Sequence, residues 1–329
     1  MTVPLATRVT GADAAAIETA VRCLKAGGLV AFPTETVYGL GADATNGEAV
    51  ARLYAAKTRP TFNPLIAHVP DPAAAAALAR FDADAALLAE IFWPGPLTLV
   101  LPKARGCCVA ELATAGLDTI AVRVPRHTVA HKILAGFGRP VVAPSANRSG
   151  HVSPTTAAHV FSDLNGRIDL IVDGGATPVG VESTIVACLG APVLLRPGGV
   201  PRQEIERALG RRLNDAPAAI AAGDDVPLAP GMSASHYAPR TPLRLNAQRV
   251  ERGEALLGFG PTLAAGAAQA VRVLNLSARG DLIEAAANLF SQLRALDASG
   301  AKTIAVMPIP HHDLGEAIND RLARAASPR

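Results

Sequence analysis

The stretch FPTETVYGLGAD, residues 32–43, gives the clearest indication of how this chain folds. An apolar run over residues 29–32 leads into it and has the length of a buried strand. A Pro-Thr-Glu-Thr corner follows and is predicted to end at Gly39 and Gly41. Hydroxyls, a carboxylate and free backbone amides at a strand end are typical of ligand sites in α/β proteins. Thr and Gly also form ordinary turns, so a purely structural corner stays open as an alternative.

Helices alternate with short apolar strands after this corner and before it. Apolar positions recur at helical spacing over residues 13–26, and Gly27 and Gly28 end that helix. The other predicted strands are residues 64–69, 97–101, 119–124, 141–143, 168–172, 183–187 and 193–195, and the other predicted helices are residues 48–57, 128–135, 154–161 and 202–209. This alternation is typical of an α/β domain.

Composition divides the chain into three parts. With 329 residues, 50% of them hydrophobic and 18% charged, the chain can bury more than one core. Residues 1–212 are predicted as the α/β domain. Residues 213–242 are rich in Ala, Gly, Asp, Pro and Ser without periodicity, which is typical of an interdomain linker. Residues 243–329 are predicted as a smaller Rossmann-like layer, without the GxGxxG pattern that would indicate a nucleotide.

Several classes of protein are excluded. The apolar runs are far shorter than a membrane span and the N-terminus has no signal-peptide pattern, so no membrane association and a cytoplasmic location are predicted. Four cysteines without CxxC spacing do not indicate a metal site or a disulfide framework. Walker, GxSxG and HExxH motifs are absent, which disfavours P-loop, serine-hydrolase and zinc-hydrolase chemistry.

Two cations and an amide lie close together in KTRPTFNP, residues 57–64. Lys57 and Arg59 in a short loop suit a phosphate or carboxylate ligand, although a solvated basic turn is the alternative. His68 lies in the next predicted strand, where a lone histidine is more often a core residue than a catalyst.

A second polar loop, PSANRSG at residues 144–150, leaves the strand at residues 141–143. Ser153 and Pro154 are predicted to cap the helix that follows, so that hydroxyls, amides and the helix dipole would form an anion site. Ser183 and Thr184 lie at the start of another predicted strand, and Arg196 follows the next one.

These motifs together resemble the YrdC/Sua5 family, in its two-domain, Sua5-type form of threonylcarbamoyl-AMP synthase. The resemblance rests on PTETVYGLG at 33–41, KTRP at 57–60, NPLIAHV at 63–69, FWPGPLTLVL at 92–101, AVRVP at 121–125, APSANRSGHVSPT at 143–155, GVESTIV at 180–186, LRPGG at 195–199 and SHYAPRTP at 235–242.

The resemblance implies a YrdC-like twisted open mixed sheet with helices, plus a smaller Rossmann-like α/β C-terminal domain. It also implies a nucleotidyltransferase that converts L-threonine, bicarbonate and ATP to threonylcarbamoyl-AMP and pyrophosphate, for the t6A modification of tRNAs that read ANN codons. Mg²⁺ would enter with ATP, no tightly bound cofactor or protein metal ligand is implied, and the t6A transfer proteins are the implied downstream partners. Catalysis would then depend on positioning and charge stabilisation.

By motif position, the resemblance assigns residues to each substrate. The threonine side comprises Thr36, His68, Arg123, Ala143 through its carbonyl group, and Ser183, with Arg123 pairing with the substrate carboxylate. The ATP side comprises Arg59, Asn63, Thr119, Ser145, Ser153, Arg196 and Tyr237, with Lys57 as a further phosphate contact. Lys57 and Arg59 are the candidates for stabilising phosphate charge, and Tyr237 would make residues 214–242 a lid as well as a linker.

Two alternatives remain open from the sequence. A non-catalytic double-stranded-RNA-binding module would use a concave basic surface and bind RNA weakly, although the formal net charge of +3 does not favour it. A carbamoyl-transfer enzyme of the hydrogenase-maturation type shares the YrdC-like domain but needs zinc-finger segments, and this chain has no CxxC.

Overall fold

The computed structural model describes residues 5–216 and 236–327. Most of the predicted linker, residues 217–235, therefore lies outside the described residues. The helices are α1 (Ala14–Lys25), α2 (Gly47–Lys57), α3 (Pro72–Ala76), α4 (Ala83–Phe92), α5 (Thr128–Phe137), α6 (Ala157–Leu164), α7 (Arg202–Leu209), α8 (Leu282–Asp297) and α9 (Leu314–Ala326), with short 3-10 helices at Glu111–Thr114 and Ala267–Gln269.

The strands form two sheets. The first contains β1 (Arg8–Thr10), β2 (Val30–Pro33), β3 (Tyr38–Asp43), β4 (Ile66–His68), β5 (Leu97–Pro102), β6 (Thr119–Arg123), β7 (Val141–Val142), β8 (Leu170–Val172), β9 (Thr184–Ala187), β10 (Val193–Arg196) and β11 (Asn214–Asp215). The second contains β12 (Leu243–Arg244), β13 (Glu254–Gly258), β14 (Val273–Asn275) and β15 (Thr303–Val306).

The first sheet is mixed, with the order β1-β8-β2-β3-β7-β4-β6-β5-β9-β10-β11. Parallel pairs such as β4 with β6 and β5 with β9 alternate with antiparallel pairs such as β2 with β3. The second sheet has the order β12-β15-β13-β14, and all its pairs are parallel. A mixed sheet followed by a small parallel layer confirms the predicted fold class.

The opening stretch folds as a hairpin of β2 and β3, in which Phe32 pairs with Gly39 and Pro33 with Tyr38. The prediction that the corner extends to Gly39 and Gly41 was wrong, because both glycines lie within β3. A Cβ atom on Gly41 would lie 2.7 Å from a ring carbon of Phe32, so the strand needs glycine there for close packing. The corner itself is short and is held by the Thr34 hydroxyl, which donates to the Val37 carbonyl at 2.7 Å.

Side-chain caps set the helix starts. Asp13, Asn46 and Asp71 each accept a backbone N–H in the first turn of the helix that follows, as is usual at N-caps. The prediction that Ser153 and Pro154 cap the next helix was wrong, because Thr156 is the N-cap of α6. The side chain of Ser153 bonds to a carboxylate instead, as described below.

Apolar residues on the two faces of the first sheet form separate cores. The larger one includes Leu53 of α2 and Leu88 of α4, and the other is built from α1 and α5, including Leu24 and Ile133. A third core, which includes Phe290 of α8, belongs to the second sheet and extends to Val37, Val152 and Val181. These three valines belong to the unit built on the first sheet. The first unit and the second unit, which is built on the second sheet, are therefore packed together beside the corner at residues 34–37.

Gly180 shows how close this approach is. It has a φ of +77°, and a Cβ atom there would lie 2.3 Å from the Ala286 carbonyl oxygen of α8. Only glycine therefore allows the loop before β9 to lie against this helix.

Candidate active site

A cavity lies where the two units meet, and most of the residues assigned from the motifs line it. The empty space inside it is about 470 Å³, including its opening to solvent. The lining residues are Thr36, Val37, Arg59, Ile66, His68, Arg123, Ala143, Pro144, Ser145, Glu182, Ser183, Arg196, His236 and Tyr237.

The sheet topology brings these distant residues together. β4 and β6 are parallel neighbours, and His68 is in register with Arg123 at their C-terminal ends. β7 lies antiparallel on the other side of β4, and the loop that begins at Ala143 leaves the sheet beside Ile66, whose carbonyl accepts the Ala143 N–H at 3.1 Å. Since these strand ends are adjacent, their side chains face one cavity.

Arg123 is buried and fixed in orientation. Its Nη2 lies 2.7 Å from Oε1 of Glu35, and its Nε donates to the Gly95 carbonyl at 3.3 Å. Glu35 also accepts the backbone N–H of Arg126 at 3.2 Å. A guanidinium held in this way keeps a defined geometry for a planar acid such as a carboxylate.

His68 beside it is neutral. Burial lowers the pKa of this imidazole to about 3, and the positive charge of Arg123 contributes to the lowering. Its Nδ1 lies 3.1 Å from the Ile66 carbonyl oxygen, so a proton on Nδ1 leaves Nε2 as a hydrogen-bond acceptor. An imidazole with so low a pKa orients a substrate group but does not take up a second proton at neutral pH.

Ser183 connects the two sides of the cavity. Its hydroxyl lies 2.7 Å from that of Thr98, and it accepts a hydrogen bond from Nη2 of Arg196 at 3.2 Å. Arg196 also donates to the Ser183 carbonyl at 2.9 Å. The Ser183 hydroxyl, which the motifs assign to the substrate L-threonine, is thus in contact with the Arg196 guanidinium, which they assign to ATP.

Three buried cations are among the residues that the motifs assign to ATP. Lys57 donates to the carbonyls of Ser145, at 2.5 Å, and Asn147, and Arg59 donates to that of Asn63. Burial lowers the pKa of Lys57 well below its usual value, and Arg59 lowers it further. Burial also lowers the pKa of Arg59, to about 10, and that of Arg196.

This charge arrangement suits a polyanion. Carbonyl oxygens bind the N–H groups of Lys57 and Arg59 but supply no negative charge, so an entering anion relieves the cost of burying these cations. Polar atoms in the same region are also buried without a hydrogen-bond partner among the described residues, namely Oδ1 of Asn63, Oδ1 of Asn147 and Nδ1 of His236.

Four predicted site residues do not line the cavity: Lys57, Asn63, Thr119 and Ser153. The first two each contact a lining residue, as described above, and Ser153 donates to the lining residue Glu182 at 2.5 Å. Thr119 is not brought to the cavity, because it lies at the start of β6, roughly 13 Å along the strand from Arg123. Its buried hydroxyl has no partner among residues 5–216 and 236–327.

Tyr237, at the described end of the linker, lines the cavity and packs against α8. It is 1% exposed, and its ring stacks on that of Phe290 at 5.6 Å between centroids. His236 makes an edge contact with it at 4.0 Å. The backbone φ of Tyr237 is +62°, a left-handed conformation that costs roughly 1–3 kcal/mol in a residue other than glycine.

The motif assignments left out five charged or polar residues of this site: Glu35, Asn147, Glu182, His236 and Arg321. Glu182 is a lone carboxylate within a motif of small and hydroxyl residues, which was a usable signal. Arg321 falls on the stripe of α9 that carries Leu314, Ile318 and Leu322, and all of these are buried. A charged residue on an apolar stripe indicates a buried partner, here the carboxylate of Glu182 at 2.7 Å.

Neither a metal cluster nor a membrane span is found in the described ranges. No group of three or more His, Cys, Asp or Glu side chains in residues 5–216 and 236–327 could hold a metal ion. Within the same ranges, every helix is too short or too polar to cross a bilayer. The four cysteines are free thiols.

Comparisons with known proteins agree with the motifs. Residues 22–198 match the family Sua5_yciO_yrdC, described as telomere recombination, and residues 200–327 match the threonylcarbamoyl-AMP synthase C-terminal domain. The chain is 42% identical over 331 residues to the threonylcarbamoyl-AMP synthase of Pyrococcus abyssi, covering 95% of this chain and 94% of the relative. It is 41% identical over 326 residues to that of Bacillus subtilis, covering 95% and 93%.

A solved structure agrees as well. The crystal structure of P. abyssi Sua5 complexed with L-threonine superposes with a TM-score of 0.87 at 39% identity, covering 98% of each chain. The resemblance predicted from the motifs is therefore confirmed: the chain belongs to the Sua5/YciO/YrdC family, in the form that carries the threonylcarbamoyl-AMP synthase C-terminal domain.

Proposed function

We propose that this chain is an L-threonylcarbamoyladenylate synthase, which converts L-threonine, bicarbonate and Mg-ATP to threonylcarbamoyl-AMP and pyrophosphate. The observation that carries the proposal is a single cavity with two different sides. An oriented arginine beside a neutral imidazole, Arg123 and His68, suits an amino acid. The buried cations Lys57, Arg59 and Arg196 suit a polyphosphate. Relatives that align over nearly the whole chain carry this activity in their names.

The threonine side would bind and orient the amino acid. Arg123 pairs with its carboxylate, and the Ser183 hydroxyl and the Ala143 carbonyl face the same space. The neutral His68 accepts a hydrogen bond from the amine nitrogen of L-threonine and carries no charge that would repel this group when it is an ammonium. The Thr36 hydroxyl, 2.8 Å from that of Thr34, lies at the same end. The relative crystallised with L-threonine supports this assignment.

The reaction has two bond-forming steps. The threonine amine attacks the carbon derived from bicarbonate, water leaves, and a carbamate forms. A carbamate oxygen then attacks the α-phosphorus of ATP as the bond to the β-phosphate oxygen breaks, and pyrophosphate leaves with that electron pair. Lys57, Arg59 and Arg196 stabilise the charge that moves onto pyrophosphate, so their preorganisation is the main catalytic contribution.

Mg²⁺ enters in this proposal as part of the substrate Mg-ATP. The carboxylate of Glu182 is 2.7 Å from Arg321, and that of Glu35 is 2.7 Å from Arg123. Both acidic groups beside the cavity are thus engaged by arginines, whereas Mg²⁺ sites on proteins commonly use one or two carboxylates. The phosphates and water therefore supply its ligands.

The proposed function also gives a role to each of the three parts of the chain. Residues 1–212 form the catalytic domain, residues 213–242 the linker and lid, and residues 243–329 the C-terminal domain. Tyr237 lies at the described end of the linker, stacked beside the cavity, and supports a lid that covers the nucleotide. The product passes to t6A transfer proteins, and a cytoplasmic location follows from that role.

Pyrophosphate release by the purified protein tests the proposal. With ATP, L-threonine and bicarbonate together we expect sustained release, and omission of either L-threonine or bicarbonate should reduce it to background. Pyrophosphate release that continues at the same rate without L-threonine or without bicarbonate would contradict the synthase function. No release, together with salt-sensitive binding of double-stranded RNA, would favour the RNA-binding module instead.

A further inference from the structure

Arg321 of α9 is the largest side chain with no exposure to solvent among the described residues. It belongs to the second unit, yet it bonds to residues on the active-site side. Its Nε donates to Oε2 of Glu182 at 2.7 Å, and its Nη2 donates to the Pro197 carbonyl at 3.0 Å. Its guanidinium carbon lies 5.1 Å from the centre of the Tyr237 ring. The remaining partner, Asp320, is its neighbour on α9.

Each of these contacts leads to a group on the ATP side. Oε1 of Glu182 accepts the Ser153 hydroxyl at 2.5 Å. Pro197 directly follows Arg196. Tyr237 is itself assigned to the nucleotide. Arg321 therefore contacts the Tyr237 ring directly, and it reaches the Ser153 hydroxyl through Glu182 and Arg196 through Pro197. All three groups lie on the same side of the cavity.

We propose that Arg321 is a positioning residue through which the C-terminal unit orders the ATP-binding side of the active site. This inference rests on the proposed synthase function. Arg321 does not line the cavity and is not a catalytic residue. It fixes the Glu182 carboxylate, which orients the Ser153 hydroxyl, and it supports one face of the Tyr237 ring while Phe290 supports the ring by stacking.

The shape of the guanidinium matters as well as its charge. Three of its nitrogens donate in three directions, to Glu182, Pro197 and Asp320. A lysine ammonium cannot reproduce this planar fork at one position. Arg321→Lys should therefore retain the charge next to Glu182 and lose part of the ordering, which gives a graded series of variants.

Electrostatics gives the series a second readout. Burial raises the pKa of Glu182, but Arg321 and Arg196 outweigh burial and hold it below its usual value, and the Ser153 hydroxyl acts in the same direction. The other groups that face this carboxylate are His236 and Tyr237, both uncharged at neutral pH, and Asp320 lies on the far side of Arg321. Removing Arg321 therefore raises the pKa of Glu182.

A matched control is an ion pair whose acidic partner lies on the same helix as Arg321. Arg202 of α7 donates to Glu316 of α9 at 2.8 Å, and this ion pair also joins the two units. It lies apart from the cavity lining. If Arg321 acted only as a tether between the units, Arg202→Met would have the same effect as Arg321→Met.

The experiment compares the full-length wild-type chain with Arg321→Met, Arg321→Lys and Arg202→Met. Circular dichroism and thermal unfolding first establish that each variant is folded. Calorimetry then gives the Kd for ATP, and pyrophosphate release gives kcat and KM for ATP and for L-threonine. We expect Arg321→Met to raise the Kd and KM for ATP by at least about tenfold and to change the KM for L-threonine less than about threefold.

Arg321→Lys should fall between Arg321→Met and the wild type, and Arg202→Met should match the wild type. The ATP affinity of Arg321→Met relative to that of the wild type at the same pH should also fall as the pH is lowered, because a protonated Glu182 is a weaker acceptor for the Ser153 hydroxyl.

Equal effects of Arg321→Met and Arg202→Met on the KM for ATP would overturn the inference, as would equal changes in the KM for both substrates. If Arg321→Met does not fold, Arg321→Lys and Glu182→Gln replace it, and unchanged ATP affinity in both would overturn the inference equally. A wild-type chain that releases no pyrophosphate would instead refute the proposed function.

Discussion

Lys57 offers the sharpest test of the polyphosphate side, because its ammonium group is buried beside Arg59 and contacts the carbonyls of Ser145 and Asn147. In Lys57→Met the side chain keeps a similar length and loses the charge. ATP should then bind more weakly, whereas L-threonine, which lies beside Arg123 on the other side of the cavity, should bind as before.

The magnitude follows from the lost contact. A hydrogen bond to a charged group contributes about 1.5–3 kcal/mol, and 1.4 kcal/mol corresponds to a tenfold change in Kd. The Kd for ATP should therefore rise roughly 10- to 150-fold. The free protein should change less, since removing a desolvated cation stabilises it while leaving two carbonyls without donors destabilises it.

Thermal unfolding with and without ATP is a convenient assay, together with calorimetry for Kd. At an ATP concentration 100 times the wild-type Kd, binding stabilises the wild type by about 2.7 kcal/mol, and a 50-fold weaker Kd leaves about 0.6 kcal/mol. Lys132→Met, on the exposed face of α5, is the control lysine and should retain the full stabilisation. A Kd for ATP in Lys57→Met within about twofold of the wild type would refute the placement of Lys57 at the phosphates.

Three further predictions concern the threonine side and the hairpin. Glu35→Gln should raise the KM for L-threonine about tenfold in the pyrophosphate assay and leave the KM for ATP unchanged, because Arg123 loses the negatively charged group that lies 2.7 Å from its Nη2. Equal changes in the KM for both substrates would contradict this role of Glu35. His68 has a pKa of about 3, so the unfolded state binds more protons below about pH 6.5 and the free energy of unfolding should fall as pH falls from there. Denaturant titrations of His68→Gln should show a flatter pH dependence than the wild type, and an identical slope would count against the buried neutral imidazole. Gly41→Val places Cβ 2.7 Å from a ring carbon of Phe32 and should destabilise the protein by about 1–3 kcal/mol. The control Gly47→Ala, whose Cβ would have no atom within 4 Å, should not destabilise it. Equal unfolding midpoints of the two variants would show that β3 packs less closely than described.

Local signals predicted most of the fold. The helix at Arg202–Leu209 begins after a proline and ends at a left-handed glycine, Gly210, and it was predicted to the residue. The cap of α6 was predicted wrongly, because the Ser153 hydroxyl bonds to Glu182 and the side chain of Thr156 accepts the His159 N–H instead. Strand β3 was missed because Gly39 and Gly41 indicate a turn, whereas the structure uses them for close packing.

The site was predictable to the extent that its residues lie in contiguous motifs. Nine of the assigned residues line one cavity, although no spacing in the sequence brings His68 and Arg123 together; the parallel register of β4 and β6 does that. The partners that orient the site were missed for the same reason. Glu35 and Arg123 are far apart in the sequence, and the contact of Glu182 with Arg321 joins the two units, so only the three-dimensional packing makes either pair visible.

The most direct test of the central claim is the mass of the nucleotide product formed from ATP, L-threonine and bicarbonate by the purified chain. The account predicts threonylcarbamoyl-AMP, whose mass rises by one unit when the bicarbonate carries carbon-13 and which is absent when L-threonine is omitted. A product without the labelled carbon, or AMP formed equally without L-threonine, would contradict it.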